Sequence, residues 1–587
     1  MACVIAAPCS GSGKTLLSLC LAALARQRGA SLQPFKVGPD YLDPQLLSEV
    51  AGRSCRNLDT QLCGEEWVRR CFRWHGSRTE RVLVEGVMGL FDGRGPTSEG
   101  STAEVAALLE LPVVLVVEAS RQAGSLAALV RGFRDHGPPQ VTLAGVVLNR
   151  VGSERHRALL AEALAAIDVP LLGVLPHDPS LALPSRHLGL LPPGELEDLV
   201  ERRRQWADLA ARHLDLERLW PLLESPEPPP PGTVDPIHWV LERGRSGDGG
   251  DPALWLPLQA QADPCGVARA EGGTSGLLTA SCSGGREGSS AGRLPSSLAV
   301  PPPEPDPSCR VPLPVAIASD QAFHFRYPEV SELLLALGLQ PHPWSPLADA
   351  PLPAGCRAVL LPGGYPELHA EQLAASRRSL GALAAAARGR VPVVAECGGL
   401  LLLGQRLHDP DDRPHAMAGV LPFSARRGSL TLGYRQAEAH CDGLLVRRGE
   451  RLIGHEFHRW QLRPDPPVPT DAAAVPWVEP RQSQALQADG EGARPLANRL
   501  IRTDWTAAPM ATAPGLWQLE GWGWPGRPEG WTNAALHASW LHLHWAGCPV
   551  IPLRLAAAAA SAVPLPTNGD FCSPRTPAPP RAGSAGG

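Results

Sequence analysis

Cys3-Val4-Ile5-Ala6-Ala7-Pro8-Cys9-Ser10-Gly11-Ser12-Gly13-Lys14-Thr15 runs from an apolar strand through a glycine-rich turn into a helical stretch, 16–28, that stops at Gly29. Strand, glycine turn and helix in that order are the setting of a phosphate-binding loop. The amides of Gly11, Ser12 and Gly13 can cradle phosphate oxygens and the helix start adds its dipole. Lys14 is placed to reach the β- and γ-phosphates of ATP, and the Thr15 hydroxyl to bind Mg²⁺. Pro8 stands where the usual pattern has its first glycine.

Downstream, Phe35-Lys36-Val37-Gly38-Pro39-Asp40-Tyr41-Leu42-Asp43-Pro44 puts two carboxylates three apart after a strand that ends in a cation. Asp40 and Asp43 can face one Mg²⁺ or a substrate oxygen, or cap a surface turn; spacing alone leaves both readings open. Glu85 ends the apolar run 82–84, the place of a carboxylate that holds Mg²⁺ or its water. Thr15, Glu85 and Asp40 are the candidate metal set. Asn149 follows the run 145–148, at the strand end where doubly wound folds place ligand contacts. It reads equally as a plain loop residue.

The remaining sequence fits this α/β frame. Short β-branched runs (3–7, 82–84, 112–117, 143–148) alternate with Ala/Leu-rich helical stretches, which predicts a parallel sheet covered by helices. The chain has 587 residues, 44% of them hydrophobic, with 54 basic and 59 acidic side chains and a formal charge of −5. That balance argues against a nucleic-acid wrapper or a polybasic membrane binder. No apolar run reaches the roughly 18–20 residues of a membrane span, and no signal peptide is read. The 14 cysteines include no Cys-x-x-Cys pair, and their scatter fits reduced thiols in the cytoplasm. Only two of the basic residues are lysines, Lys14 and Lys36, and both fall in the stretches quoted above.

Composition divides the chain. Residues 1–221 form the first α/β domain. Residues 222–311, with a Pro-rich start and a Gly/Ser-rich middle, read as a linker or insertion. A second α/β domain spans 312–555, with an irregular Pro-, Gly- and Trp-rich insertion at 466–530. Residues 556–587 read as a disordered tail.

The second domain carries a candidate nucleophile. The strand 391–395 runs into Glu396-Cys397-Gly398-Gly399 and an apolar helix start. A cysteine on a tight strand-to-helix turn is presented for attack, and a helix N-terminus should lower its thiol pKa. Upstream, Pro362-Gly363-Gly364-Tyr365 is a second strand-to-turn element, whose amides around Gly364 are natural oxyanion donors. Gly363, Gly364, Tyr365 and Gly398 form the candidate oxyanion site. A base is required, and His537, His542, His544, His455 and His458 are candidates. The strand-like alternation of His542 and His544 puts both on one face. A zinc site built from these histidines lacks a clear ligand set.

These stretches, with Val84–Gly93, 145–151, 184–190, 318–327, 454–458 and 538–544, resemble the cobyrinic acid a,c-diamide synthase family in family order. The resemblance implies a dethiobiotin-synthetase-like P-loop domain followed by a class I glutamine amidotransferase domain of the cobyric acid synthase type. It implies that Cys397 attacks glutamine with His542 as its base, as a Cys–His dyad, because Leu543 and His544 replace the usual His-x-Glu continuation. It implies further that ATP phosphorylates a corrinoid carboxylate, and that ammonia then displaces the phosphate at the a- and c-acetates in turn. Asp40 and Asp43 would bind the metal or steer the acyl phosphate. The implied partners are cobyrinic acid, L-glutamine and ATP, with neither nucleic acid nor membrane; a homodimer is the assembly considered.

Several alternatives remain at this level. Hydrogenobyrinic acid or a nickel sirohydrochlorin would use the same architecture, and cobyric acid synthase matches 35–44 and 84–93 less well. A P-loop ATPase switch would have no use for Cys397. A degenerate copy would be disabled by its insertions, but both lysines and the tyrosines at 41, 327 and 365 survive in the family stretches.

Overall fold

The computed structural model describes residues 2–178, 185–186, 189–190, 193–196, 198–246, 312–464 and 515–564. The first domain is built on a seven-stranded parallel sheet. Its strands are β1 (Cys3–Ala6), β2 (Leu32–Val37), β3 (Arg56–Leu58), β4 (Arg81–Glu85), β5 (Val113–Glu118), β6 (Leu143–Val151) and β7 (Leu171–Pro176), in the order β3-β2-β4-β1-β5-β6-β7. Every residue of β1 and β2 is buried, as expected for strands covered on both faces. β1 lies between β4 and β5, so the turn after it meets the acid that ends β4: Ile5 is in register with Glu85. Helix Lys14–Gln27 packs its apolar face on the sheet and against helix Leu199–His213. A short hairpin, β8 (Ser185–Arg186) and β9 (Gly189–Leu190), closes this half. It holds part of the stretch 184–190; the rest of that stretch lies outside the described residues.

The second domain has a six-stranded sheet in the order β11-β10-β12-β13-β21-β20. Its strands are β10 (Leu313–Ala318), β11 (Leu339–Trp344), β12 (Ala358–Leu361), β13 (Val393–Glu396), β20 (Trp531–Thr532) and β21 (Leu536–Ser539). All neighbours are parallel except β20 and β21. Beside it stands a second sheet of β14 (Arg406–His408), β15 (Pro414–Ala416), β16 (Phe423–Ala439), β17 (Arg451–Pro464), β18 (Trp517–Gly521) and β19 (Trp524–Glu529). Its longest pair, β16 and β17, is antiparallel. The two-domain α/β architecture expected from the sequence is thus present.

Several boundaries differ from the sequence reading. Residues Pro236–Ser246, inside the expected linker, form a helix that buries Trp239, Val240 and Leu241. Asp235 caps it through Ile237 N and His238 N, and Trp239 stacks on Trp67 at 6.4 Å. Prolines on either side hid this amphipathic turn pair. Residues 515–530 of the expected insertion hold β18 and β19, with Glu529 buried. Helix Val550–Ser561 continues past 555, because Ala556 and Ala559 pack in the core. Residues 247–311 of the expected linker, 466–514 of the insertion and 565–587 of the tail lie outside the described residues.

Candidate active sites

The phosphate loop has the geometry its sequence requires. Gly13 sits at φ 112°, and a Cβ there would lie 2.3 Å from Nδ2 of Asn149. Asn149 donates to the Ser12 carbonyl at 2.9 Å, so it braces the loop from the end of β6 while lining the cleft in front of it. The helix has no side-chain cap at Gly13, which leaves its first amides directed at the cleft. Lys14 Nζ donates to the carbonyls of Met88 (2.5 Å) and Cys9 (3.4 Å). Burial and the nearby Lys36 ammonium pull its pKa down.

Behind the loop lies a buried charge cluster. Lys36, 2% exposed, donates to Asp43 Oδ2 at 2.6 Å and Glu85 Oε1 at 2.7 Å, with Asp40 Oδ2 at 3.6 Å. Burial alone would pull the ammonium pKa down, but Asp43, Glu85 and Asp40 outweigh it and hold it well above its ordinary value. Burial raises Glu85, whereas at Asp43 the Lys36 ammonium overcomes burial and lowers the carboxyl. Thr15 Oγ1 donates to Glu85 Oε1 at 2.8 Å and reaches Asp43 Oδ2 at 3.4 Å. Asp43 thus joins Thr15 and Glu85. Asp40 Oδ1 accepts from the amides of Leu42 (2.9 Å) and Asp43 (3.3 Å) at the start of helix Leu42–Ala51, while its Oδ2 faces Lys36.

A small divalent cation fits this cluster on two counts. Glu85 Oε2 is buried without a hydrogen-bond partner among the described residues. Three carboxylates also face one ammonium, and burial raises both Glu85 and Asp40, a shift that a bound cation would reverse. Among the described residues no set of three His, Cys, Asp or Glu side chains is gathered as a metal cage, so the histidine-zinc alternative finds no support there.

The thiol centre lies on the second domain. Cys397 joins β13 to helix Gly398–Leu403 at φ 48° and ψ −110°, a strained conformation for a residue with a side chain. Its amide donates to the Ser539 carbonyl at 2.8 Å, and its Sγ–H donates to the Phe457 carbonyl at 3.6 Å. The Gly363 carbonyl, which accepts from His324 N and Phe325 N, fixes the second turn. A Cβ on Gly398 would lie 2.8 Å from Gly364 N, and one on Gly363 would lie 2.5 Å from Cε1 of His542. The same turn thus meets both the cysteine's helix and the histidine ring. Tyr365 packs edge-on against Phe325 at 5.0 Å, as part of the wall.

Electrostatics at Cys397 oppose the sequence expectation. Burial pushes the thiol up, Glu367 adds to this, and the Gly398 amide pulls it down only in part. A six-residue helix does not replace the water lost on burial. Burial holds the His542 imidazole neutral, with its pKa lowered to about 3. Glu367 and Glu396 are each pushed up by burial to about 8. Neither was assigned a role from sequence, because only tertiary packing reveals their burial.

β21 ends at Ser539, so His542 and His544 do not lie on a continuous strand. A single bridge to His455 carries His542. Both rings still face one aromatic cluster: Tyr41 stands 5.0 Å from His542 and 4.7 Å from Tyr327, which is 4.3 Å from His544. Tyr41 belongs to the acidic turn of the first domain, so the two sites share a wall. The domains are tied further by Arg56 to Glu329 and Glu332, Tyr434 to Asp59 (3.0 Å), and Gln45 to the His324 carbonyl (2.9 Å). Between them opens a cleft of about 990 Å³, lined by Lys14, Thr15, Asp40 and Asp43 on one side and by Tyr434, His455 and Phe457 on the other.

Residues 3–191 match the CobQ/CobB/MinD/ParA nucleotide binding domain family, and 314–488 match the CobB/CobQ-like glutamine amidotransferase domain family. The cobyrinate a,c-diamide synthase of Gloeobacter violaceus is 37% identical over 548 residues, covering 93% of this chain and 94% of the relative. That of Synechocystis is 36% identical, covering 93% and 90%. The hydrogenobyrinate a,c-diamide synthase of Streptomyces coelicolor is 38% identical, covering 94% and 96%. No helix among the described residues is long and apolar enough to cross a membrane. A P-loop switch without amidotransferase chemistry does not fit this pairing of domains. The chain belongs to the a,c-diamide synthase family, the glutamine-hydrolysing ligases of cobalamin biosynthesis.

Proposed function

We propose that the enzyme amidates the a- and c-acetate carboxylates of cobyrinic acid with ATP and glutamine. The observation that carries this reading is the shared cleft. Phe457 lines it together with the phosphate loop's Lys14 and Thr15, and the Phe457 carbonyl accepts from the Cys397 thiol. In this reading residues 1–221, extended by helix Pro236–Ser246, form the synthetase domain, and the amidotransferase domain runs from 312 through helix Val550–Ser561.

Cys397 Sγ attacks the glutamine amide carbon as neutral His542 takes the thiol proton. The amides at Gly364 and Gly398 receive the oxyanion; the His542 imidazolium returns its proton to the leaving nitrogen, so that ammonia departs and leaves a glutamyl thioester that water hydrolyses. In the other site the substrate carboxylate attacks the γ-phosphate of ATP, giving an acyl phosphate and ADP. Ammonia displaces the phosphate, giving the amide. Lys14 turns from the loop carbonyls to the transferring phosphoryl group, and Lys36 holds the acids of the cluster in place. Thr15, Asp43 and Glu85 would hold Mg²⁺, which supplies charge compensation for the phosphates. The reading places the enzyme in the cytoplasm with small molecules as partners, and its assembly as a homodimer is readable by light scattering.

The metal-free substrate is the second reading, favoured by the 38% identity to a hydrogenobyrinate enzyme. One experiment decides between them: mass spectrometry after incubation of cobyrinic and hydrogenobyrinic acids in parallel with ATP and glutamine. Double amidation of cobyrinic acid supports the proposal. Double amidation of hydrogenobyrinic acid alone would replace it with the second reading.

A further inference from the structure

The cleft is wider than a phosphate loop requires, and its mouth has a distinctive composition. Three of the large apolar side chains exposed among the described residues stand around it: Trp522 at 67%, Leu432 at 47% and Met88 at 39%. They come from separate elements, the turn between β18 and β19, the strand β16, and the loop after β4. Trp522 reaches across to the first domain, where a Cβ on Gly95 would lie 2.6 Å from its Cγ. One exposed apolar residue needs no explanation, but three from distant parts of the chain converging on one opening do.

Arg94 and Arg150 stand on the same lining. Neither guanidinium forms an ion pair or hydrogen bond among the described residues, although Glu118 feels the charge of Arg150. Met88 (φ 47°) and Arg150 (φ 59°) both hold left-handed backbone, which side-chain-bearing residues seldom adopt. Strain of that kind is retained where it aims a side chain at a ligand.

We propose that this mouth seats the substrate's macrocycle. Trp522, Leu432 and Met88 take the flat apolar ring, and Arg94 and Arg150 pair with peripheral carboxylates other than the one reacting. The inference rests on the reading of the substrate as a corrinoid. Such a molecule is a rigid, mostly apolar disc rimmed with acetates and propionates. A disc requires a flat apolar wall, and carboxylates left in a cleft require guanidinium partners. Held there, the disc turns one acetate inward to the phosphate loop at the floor. Because the seat is built from both domains, it also fixes the substrate against the wall shared with the thiol centre.

The test compares wild type with Trp522→Ala, Trp522→Phe and the pair Arg94→Gln/Arg150→Gln, using cobyrinic acid, ATP and glutamine. Trp522 is exposed, so its removal should leave folding intact. Trp522→Ala should raise KM for the corrinoid about tenfold, and Trp522→Phe should restore most of it. KM for ATP and corrinoid-independent glutamine hydrolysis should stay within about twofold of wild type. The arginine pair should raise corrinoid KM and weaken its dependence on salt. An unchanged corrinoid KM in both sets of variants would overturn the seat. If the wild type amidates neither corrinoid, the functional reading falls on its own. Equilibrium dialysis of cobyrinic acid against wild type and Trp522→Ala then still reads the seat, and equal affinities would overturn it.

Discussion

The phosphate loop and the thiol turn bury reactive groups by opposite means. Around Lys36 three carboxylates share one ammonium, which holds Lys36 and Asp43 in their charged forms although burial raises Glu85 and Asp40. Around Cys397 no such pairing exists. The thiol, the His542 ring, Glu367 and Glu396 are all held toward their neutral forms by burial. The first centre is poised for an incoming cation and polyanion. The second holds a thiol and an imidazole that burial keeps toward their neutral forms.

Removing the thiol separates the two centres most sharply. Cys397→Ala should lower glutamine-dependent amidation by roughly 10³-fold or more, while amidation driven by added ammonium persists. Loss of both activities would show that the centres are not separable. Lys36→Met attacks the charged centre. It leaves the buried Glu85 and the partly buried Asp40 and Asp43 without their cation and should destabilise the fold by about 3 kcal/mol in denaturant unfolding, with the amidation step lost. A small change in stability would mean that the cluster protonates at little cost.

Glu367→Gln tests the neutral centre. With its pKa raised from 4.5 to about 8 by burial, Glu367 keeps a proton in the folded chain that the unfolded chain releases. Its presence therefore costs stability increasingly as pH rises from about 4.5 to 8. The variant should gain on the order of 1–3 kcal/mol over wild type at pH 8 and little near pH 4.5, measured by unfolding at both pH values. A pH-independent difference would contradict the burial argument. The smallest effect is expected at the seam between the centres. Tyr434→Phe removes one hydrogen bond to Asp59 and should cost about 1 kcal/mol, with both half-reactions intact.

What could be read beforehand was local. The phosphate loop, the acid ending β4 and the cysteine turn each occupy a dozen residues or fewer, and a strand–turn–helix order fixes their backbone. Which of Asp40 and Asp43 contacts Thr15 was not legible, since it depends on where helix Leu42–Ala51 begins. The direction of the Cys397 shift was missed because dipole arguments are visible in a sequence and desolvation is not. Helix Pro236–Ser246 was hidden by the prolines around it, although Trp239-Val240-Leu241 marked its buried face. Trp522 lay in a stretch read as irregular, and only its approach to Gly95 makes it part of the cleft.

One hydrophobic cluster extends from Ala2 beside the first sheet, through Tyr41, Tyr327 and Trp239, to Ala559 in the last helix. The helix Pro236–Ser246 rests on that last helix, with Gly244 against the Pro549 carbonyl. The enzyme is therefore not two catalysts on a tether. A gene split within 247–311 would give two polypeptides that each bare a greasy face, and a lineage that fissioned it would have to make both products together, in equal number, and keep them as one particle.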